Sequence, residues 1–171
     1  MKANDAKILI LQSMKTCLVN MLTQARKSID EAQAEANYHI GAMQSRYDTF
    51  KEEAQYLAAA HQIRSITLED KIACCDSLIK KLSTGYRFES VEMGALFVIR
   101  SFEDDDYRKA FFIVPKGTGS IEEIGGYDAM CINLDAPIIK PFIGLREGDE
   151  PDLGKSLSNT ICDDKYIEVI I

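Results

Sequence analysis

LQSMKTCLVNMLTQARKSIDEAQAEA, residues Leu11 to Ala36, is the stretch from which the architecture of the chain follows. Its residues Leu11, Met14, Leu18, Leu22, Ala25, Ile29, Ala32 and Ala36 recur at spacings of 3, 4, 4, 3, 4, 3 and 4, which aligns them on one side of a long helix. From Lys7 to Leu82 the composition is helical throughout: Gly41 is the one glycine, proline is absent, and Ala, Leu, Glu, Gln and Lys dominate. A second stripe runs through Ala54, Leu57, His61 and Arg64, then Leu68, Ile72, Cys75, Ile79 and Leu82, with its upper half polar. Neither stripe is wide enough to bury a helix on all sides, and two narrow stripes on consecutive helices satisfy each other most simply as an antiparallel hairpin. Residues 1–84 are therefore expected to form a two-helix coiled-coil hairpin with its distal tip near 41–49. An arm of some 33 residues at about 1.5 Å each reaches roughly 50 Å.

At Ser83-Thr84-Gly85 the pattern changes. Nine of the ten glycines and all four prolines follow Leu82. Gly94 to Arg100 (GALFVIR), Arg108 to Val114 (RKAFFIV), Ala129 to Leu134 (AMCINL) and Tyr166 to Ile171 (YIEVII) are short β-branched or aromatic runs between turn residues. Residues 85–171 are expected to fold as a small, mainly antiparallel sheet, with one short helix or turn where Pro137 and Pro141 flank Ile138-Ile139-Lys140. The whole is an α+β chain of 171 residues, too short for a large enzyme fold, and its 46% hydrophobic and 27% charged residues suit a packed core.

The net charge of −7 argues against direct binding to duplex nucleic acid. It divides along the same boundary: residues 1–88 carry 12 basic and 10 acidic side chains, net +2, and residues 89–171 carry 8 and 17, net −9. The first thirty residues do not read as a signal peptide and no run approaches the length of a membrane span, so a soluble, cytoplasmic protein is expected. The five cysteines, Cys17, Cys74, Cys75, Cys131 and Cys162, form no C-x-x-C and are expected to be buried, reduced thiols. His39 and His61 lack partners at metal-ligand spacing, and the acidic run Glu103-Asp104-Asp105-Asp106 reads as a solvated hairpin loop. Lys116-Gly117-Thr118-Gly119-Ser120 lacks the order of a P-loop, and no G-x-S-x-G occurs.

The segment Asp135-Ala136-Pro137-Ile138-Ile139-Lys140-Pro141-Phe142-Ile143-Gly144-Leu145-Arg146-Glu147-Gly148-Asp149 resembles the head-domain signature of the GreA/GreB transcript-cleavage factors, approximately D-S-P-L-G-[KR]-A-L-L-G-K-x-x-G-D. Phe112-Ile113-Val114 resembles the Y-x-I-V strand of that family, and Lys165 to Ile170 resembles its closing Y-x-I-x-x-I strand. With a helical hairpin of the right length, the resemblance covers nearly the whole chain. It implies a transcription elongation factor that binds RNA polymerase. The head would be an FKBP-like antiparallel β domain docked on the rim of the secondary channel, and the coiled coil would enter that channel. Such a factor has no catalytic residues and no intrinsic cofactor; it acts on the polymerase's own active site and meets nucleic acid only through the polymerase.

In the family, acidic tip residues in a D-x-x-E arrangement help hold a second magnesium, because a hard cation takes carboxylate oxygens and two metals can clamp an in-line displacement. Here Ser45-Arg46-Tyr47-Asp48 falls on that pattern, with Asp48 at the second acid and Ser45 at the first. Asp48 is the candidate ligand to a shared Mg, and Glu52 lies one helical turn further on. Two behaviours follow: stimulated cleavage if the tip holds metal through Asp48 and Glu52, or regulation without cleavage if it does not. The missing carboxylate and the neighbouring Arg46 favour the second. Docking falls to Asp135, Ala136, Pro137 and Ile138, with Ala136 in place of the usual Ser. Two rivals stand beside this reading. One is a coiled-coil adaptor module with no polymerase role. The other is a prolyl isomerase head, disfavoured by the absence of Trp.

Overall fold

The computed structural model describes residues 2–38, 47–104, 106–151 and 165–171. In chain order they form α1 (Ala3–Tyr38), α2 (Tyr47–Ser83), β1 (Leu96–Ser101), β2 (Arg108–Ile113), β3 (Ile121–Ile124), β4 (Tyr127–Ile132), a 3-10 turn (Lys140–Phe142) and β5 (Lys165–Ile170). Two long helices are thus followed by a five-stranded, mostly antiparallel sheet. The chain divides into two compact units. One is Ser13–Asp76, a pair of helices; the other joins Met1–Gln12 to Ser77–Ile171, so the first turns of α1 and the last turns of α2 belong with the sheet.

Within the helical unit, Lys15 pairs with Asp76 at 2.5 Å and Arg26 with Glu69 at 2.9 Å. Advancing along α1 means retreating along α2, so the two run antiparallel. Both ion pairs are largely exposed and set register more than stability. The α1 stripe is as expected, with Met14, Leu18, Leu22, Ala25 and Ala32 buried. The α2 stripe differs in its upper half. Leu57 is 51% exposed and Arg64 lies on the surface, while Ala58 and Ser65 are buried in their place. The seam therefore runs Ala54, Ala58, His61, Ser65, Leu68, Ile72 and Cys75, at spacings of 4, 3, 4, 3, 4 and 3, keeping one heptad phase where the expected stripe slipped by a residue. Ser65 is tolerated there because its hydroxyl donates to the His61 carbonyl at 2.9 Å.

The sheet order is β3-β4-β2-β1-β5. β1 pairs antiparallel with β2 (Leu96↔Phe112, Phe97↔Phe111) and with β5, where the register shifts between Val98 and Ile99. β3 was absent from the sequence expectation because Ile121-Glu122-Glu123-Ile124 is short and half charged. Its signal was Gly125-Gly126, whose φ values of 62° and 89° form a two-residue hairpin into β4. One pairing is parallel, β2 with β4, because residues 114–120 carry the chain past the place that β4 then fills.

Leu96, Phe97, Val98 and Ile99 are all at most 1% exposed, so β1 is covered on both faces. On one face Phe97 stacks on Phe111 at 5.6 Å and meets Phe142 at 6.0 Å. On the other lies Lys7 of α1, fully buried. Its ammonium donates to the Gly94 carbonyl at 3.1 Å and the Ile171 carbonyl at 2.5 Å, and it lies 4.7 Å from the Phe88 ring and 5.5 Å from the Phe112 ring. Lys81 of α2 approaches the same Phe88 ring at 4.9 Å. Gly94 has φ of 91°, which an L side chain rarely adopts, and a Cβ there would come within 2.6 Å of Leu78 Cδ2, so that any other residue would strain the backbone and force the Leu78 side chain of α2 to shift.

Burial lowers the Lys7 ammonium from 10.5 to about 7. Between those values the unfolded chain binds more protons than the folded one, so stability rises with pH by about 1.4 kcal/mol per pH unit above 7 and the effect is flat below. Thermal melts from pH 6 to 10 should show a rising midpoint for the wild type, and the Lys7→Met profile should lack that rise. The seam predicts a contrast in chemical denaturation: Leu18→Ala should cost about 2–5 kcal/mol, and Leu57→Ser less than about 0.5 kcal/mol.

Candidate partner-binding site

After β4 the backbone tightens. Ala136 N–H donates to the Asn133 carbonyl at 3.2 Å, then Ile139 and Lys140 N–H both donate to the Ala136 carbonyl at 3.1 and 3.3 Å. This leads into the 3-10 turn, where Pro141 sits at the start and its missing N–H leaves no ladder bond unmade. Ile139 and Phe142 are fully buried and act as two pegs beneath the turn. Above them Asp135 and Pro137 are exposed, and Ala136 and Ile138 are half-buried. The turn is capped at Ile139 without a side-chain bond, so the Asp135 carboxylate is not used as its cap.

The second half of the block is fastened by backbone bonds. Gly144, with φ of 82°, donates to the Val91 carbonyl at 2.8 Å, and Val91 N–H donates to the Leu145 carbonyl at 2.8 Å. Asp149 accepts the Arg146 N–H on its carboxylate at 2.8 Å and donates its own N–H to the Arg146 carbonyl at 3.1 Å. Gly148, with φ of 84°, makes that turn possible and donates to the Ile167 carbonyl at 2.8 Å. Glu147 accepts the Ile170 N–H at 2.7 Å. The Gly-Asp pair of the motif thus has a structural role, tying the block to β5. Sequence reasoning assigned no such role to Glu147, Ile139 or Phe142; the burial of the last two was signalled only by their apolar character.

Of the tip residues, Ser45 and Arg46 lie outside the described residues, as do His39 and most of the expected tip at 41–49. Tyr47 and Asp48 open α2, and exposed Glu52 follows Asp48 by four residues. The Asp135–Asp149 block and Tyr47, Asp48 and Glu52 belong to different compact units. His61 is half-buried in the seam. The acidic run joins β1 to β2 around Ser101, whose hydroxyl oxygen accepts the N–H groups of Glu103 and Asp104 at 3.1 Å each; Asp105 lies outside the described residues. Residues 116–120 connect β2 to β3. Among the described residues, no three His, Cys, Asp or Glu side chains gather as a metal site.

Burial pushes the Cys75 thiol up to about 11, helped by Cys74 and Asp76 and opposed by Lys15, and burial also raises Cys74 and Cys131. These thiols are protonated and poor nucleophiles at neutral pH. Cys17 departs from the expectation of burial: its place on α1 faces outward, between the buried positions Met14 and Leu18. Cys162 lies outside the described residues.

No family model matches the chain. Among solved structures it is similar to GreA factor homolog 1 of Thermus thermophilus, at 17% identity and a TM-score of 0.33, over 92% of this chain and 94% of that one. It is also similar to a structure described as the transcription factor Gfh1, at 20% identity and a TM-score of 0.30, over 79% and 80% of the two chains. Among the described residues no helix is long and apolar enough to cross a membrane.

Stability measurements should separate scaffold from surface within the block. Asp149→Ala leaves the Arg146 N–H without its acceptor and should cost about 1 kcal/mol in chemical denaturation. Asp135→Ala should change stability by less than about 0.5 kcal/mol.

Proposed function

We propose that this chain is an RNA polymerase-binding transcription elongation factor of the Gre type. Its helix pair would enter the secondary channel and act on the polymerase's active site. The observation that carries the reading is the Asp135–Asp149 block. The residues resembling the family's docking signature form a turn pegged by Ile139 and Phe142, with Asp135 and Pro137 held outward on that fixed base. Such a turn can present a carboxylate and a rigid ring to a partner at little cost in entropy. Ala136, Pro137 and Ile138 complete the contact.

The charge division agrees with this orientation. The half that would approach the polymerase's nucleic acid is net +2 and the half that would stay on the rim is net −9. At the tip, Ser45, Arg46, Tyr47, Asp48 and Glu52 would face the active site. Asp48 and Glu52, one turn apart, are the residues that would hold a Mg shared with the polymerase, where the ion would add positive charge beside the reacting phosphate. Two carboxylates fill only part of a six-oxygen shell, so the polymerase would supply the rest. Serine at position 45 adds no charge and Arg46 opposes a cation, which favours regulation of the polymerase without cleavage. A factor of this kind works in the cytoplasm beside its partner and needs no cofactor of its own.

The test uses purified RNA polymerase. The full chain should bind it, and Asp135→Ala with Pro137→Ala should weaken binding roughly tenfold or more. On a stalled, backtracked complex the chain should alter elongation without shortening the RNA. Robust shortening that vanishes with Asp48→Ala would replace regulation by stimulated cleavage. Absence of binding at low salt would favour the adaptor reading.

A further inference from the structure

The α2 helix carries a second stripe that α1 does not cover. Glu52, Tyr56, Ala59, Ile63, Ile66 and Asp70 are spaced 4, 3, 4, 3 and 4, in heptad phase, and all are exposed. They begin two residues out of step with the inner seam at Ala54, a rotation of about 200°, so they occupy the opposite side of the helix. Tyr56 is 77% exposed, Ile63 68% and Ile66 59%. Lone apolar residues on a surface need no explanation, but four consecutive positions of one heptad track form a contiguous patch, the mark of an interaction surface. Both ends of the patch are acidic.

The acidic ends decide what can cover it. The spacing reads the same in both directions, so a second copy laid antiparallel would set Glu52 against Asp70, and a parallel copy would set each acid against itself. Like charges facing each other at both ends of the patch oppose association. The apolar area is on the order of 400 Å², about half of what each partner contributes to a standard interface. The patch therefore fits one part of a larger contact with a different protein. We infer that this face docks on an apolar ridge of the polymerase that places a Lys or Arg side chain beside Asp70, Glu52 at the other end keeping the role proposed above. This rests on the function proposed above and adds a second contact, independent of the Asp135–Ile138 turn.

The experiment compares the full-length wild type with Ile63→Ser/Ile66→Ser and with Asp70→Lys, using purified RNA polymerase and each protein alone in sedimentation. Exposed serines leave the inner seam intact, so circular dichroism should match the wild type. Both variants should bind the polymerase at least about tenfold more weakly while all three proteins stay monomeric. A photoreactive phenylalanine replacing Tyr56 should crosslink to a polymerase segment with neighbouring Lys or Arg. Equal binding by folded variants overturns the inference and leaves the proposed function standing. Self-association of the wild type that is lost in the variants overturns it in favour of a second copy. Failure of the wild type to bind polymerase overturns both.

Discussion

A buried ammonium joins the start of α1 to the sheet. Lys7 has exchanged water for two carbonyl oxygens and two aromatic faces, and the exchange is incomplete, as its lowered proton affinity records. An apolar side chain of similar length would fill the space but would leave the Gly94 carbonyl without the lysine's bond. The lysine instead ties α1 to Gly94, two residues before β1, and to Ile171, just past β5. Phe88, approached by Lys7 from α1 and Lys81 from α2, links both helices to the segment that precedes the sheet. The cost of burying a charge is set against directional bonds that a greasy contact could not supply.

Different physical means hold the two units. The helical unit relies on a narrow seam that becomes Ala- and Ser-rich along α2, with small side chains that bury little area each. The sheet unit has the aromatic core, centred on Phe97, Phe111 and Phe142. Phe142 also belongs to the Asp135–Asp149 block, so the surface proposed to meet the polymerase is seated on this aromatic core. A docking turn built this way keeps its shape before binding and loses little freedom when it binds.

Much of the candidate site was legible in the sequence, though unevenly. Its Pro, Gly and Asp pattern is explained by backbone roles outside the four residues assigned to docking: Pro141 opens a 3-10 turn, Gly144 and Gly148 take positive φ, and Asp149 closes a turn on Arg146. The outer stripe of α2 went unread because Leu57 was assigned to the seam in place of Ala58. Hydrophobicity favours leucine over alanine for burial, but helix phase outweighed it.

The sequence by itself determined the two long helices, the switch to strands after Leu82 and the antiparallel pairing, because 3.6-residue and two-residue periodicities are local properties of the chain. It also marked the Asp135–Asp149 block through residues whose backbone preferences are local. Only the tertiary structure decided the heptad phase of upper α2, the parallel placement of β4 beside β2, the covering of β1 on both faces and the burial of Lys7. Each of these depends on which distant residue fills the neighbouring space, and a side chain's polarity does not specify its neighbour.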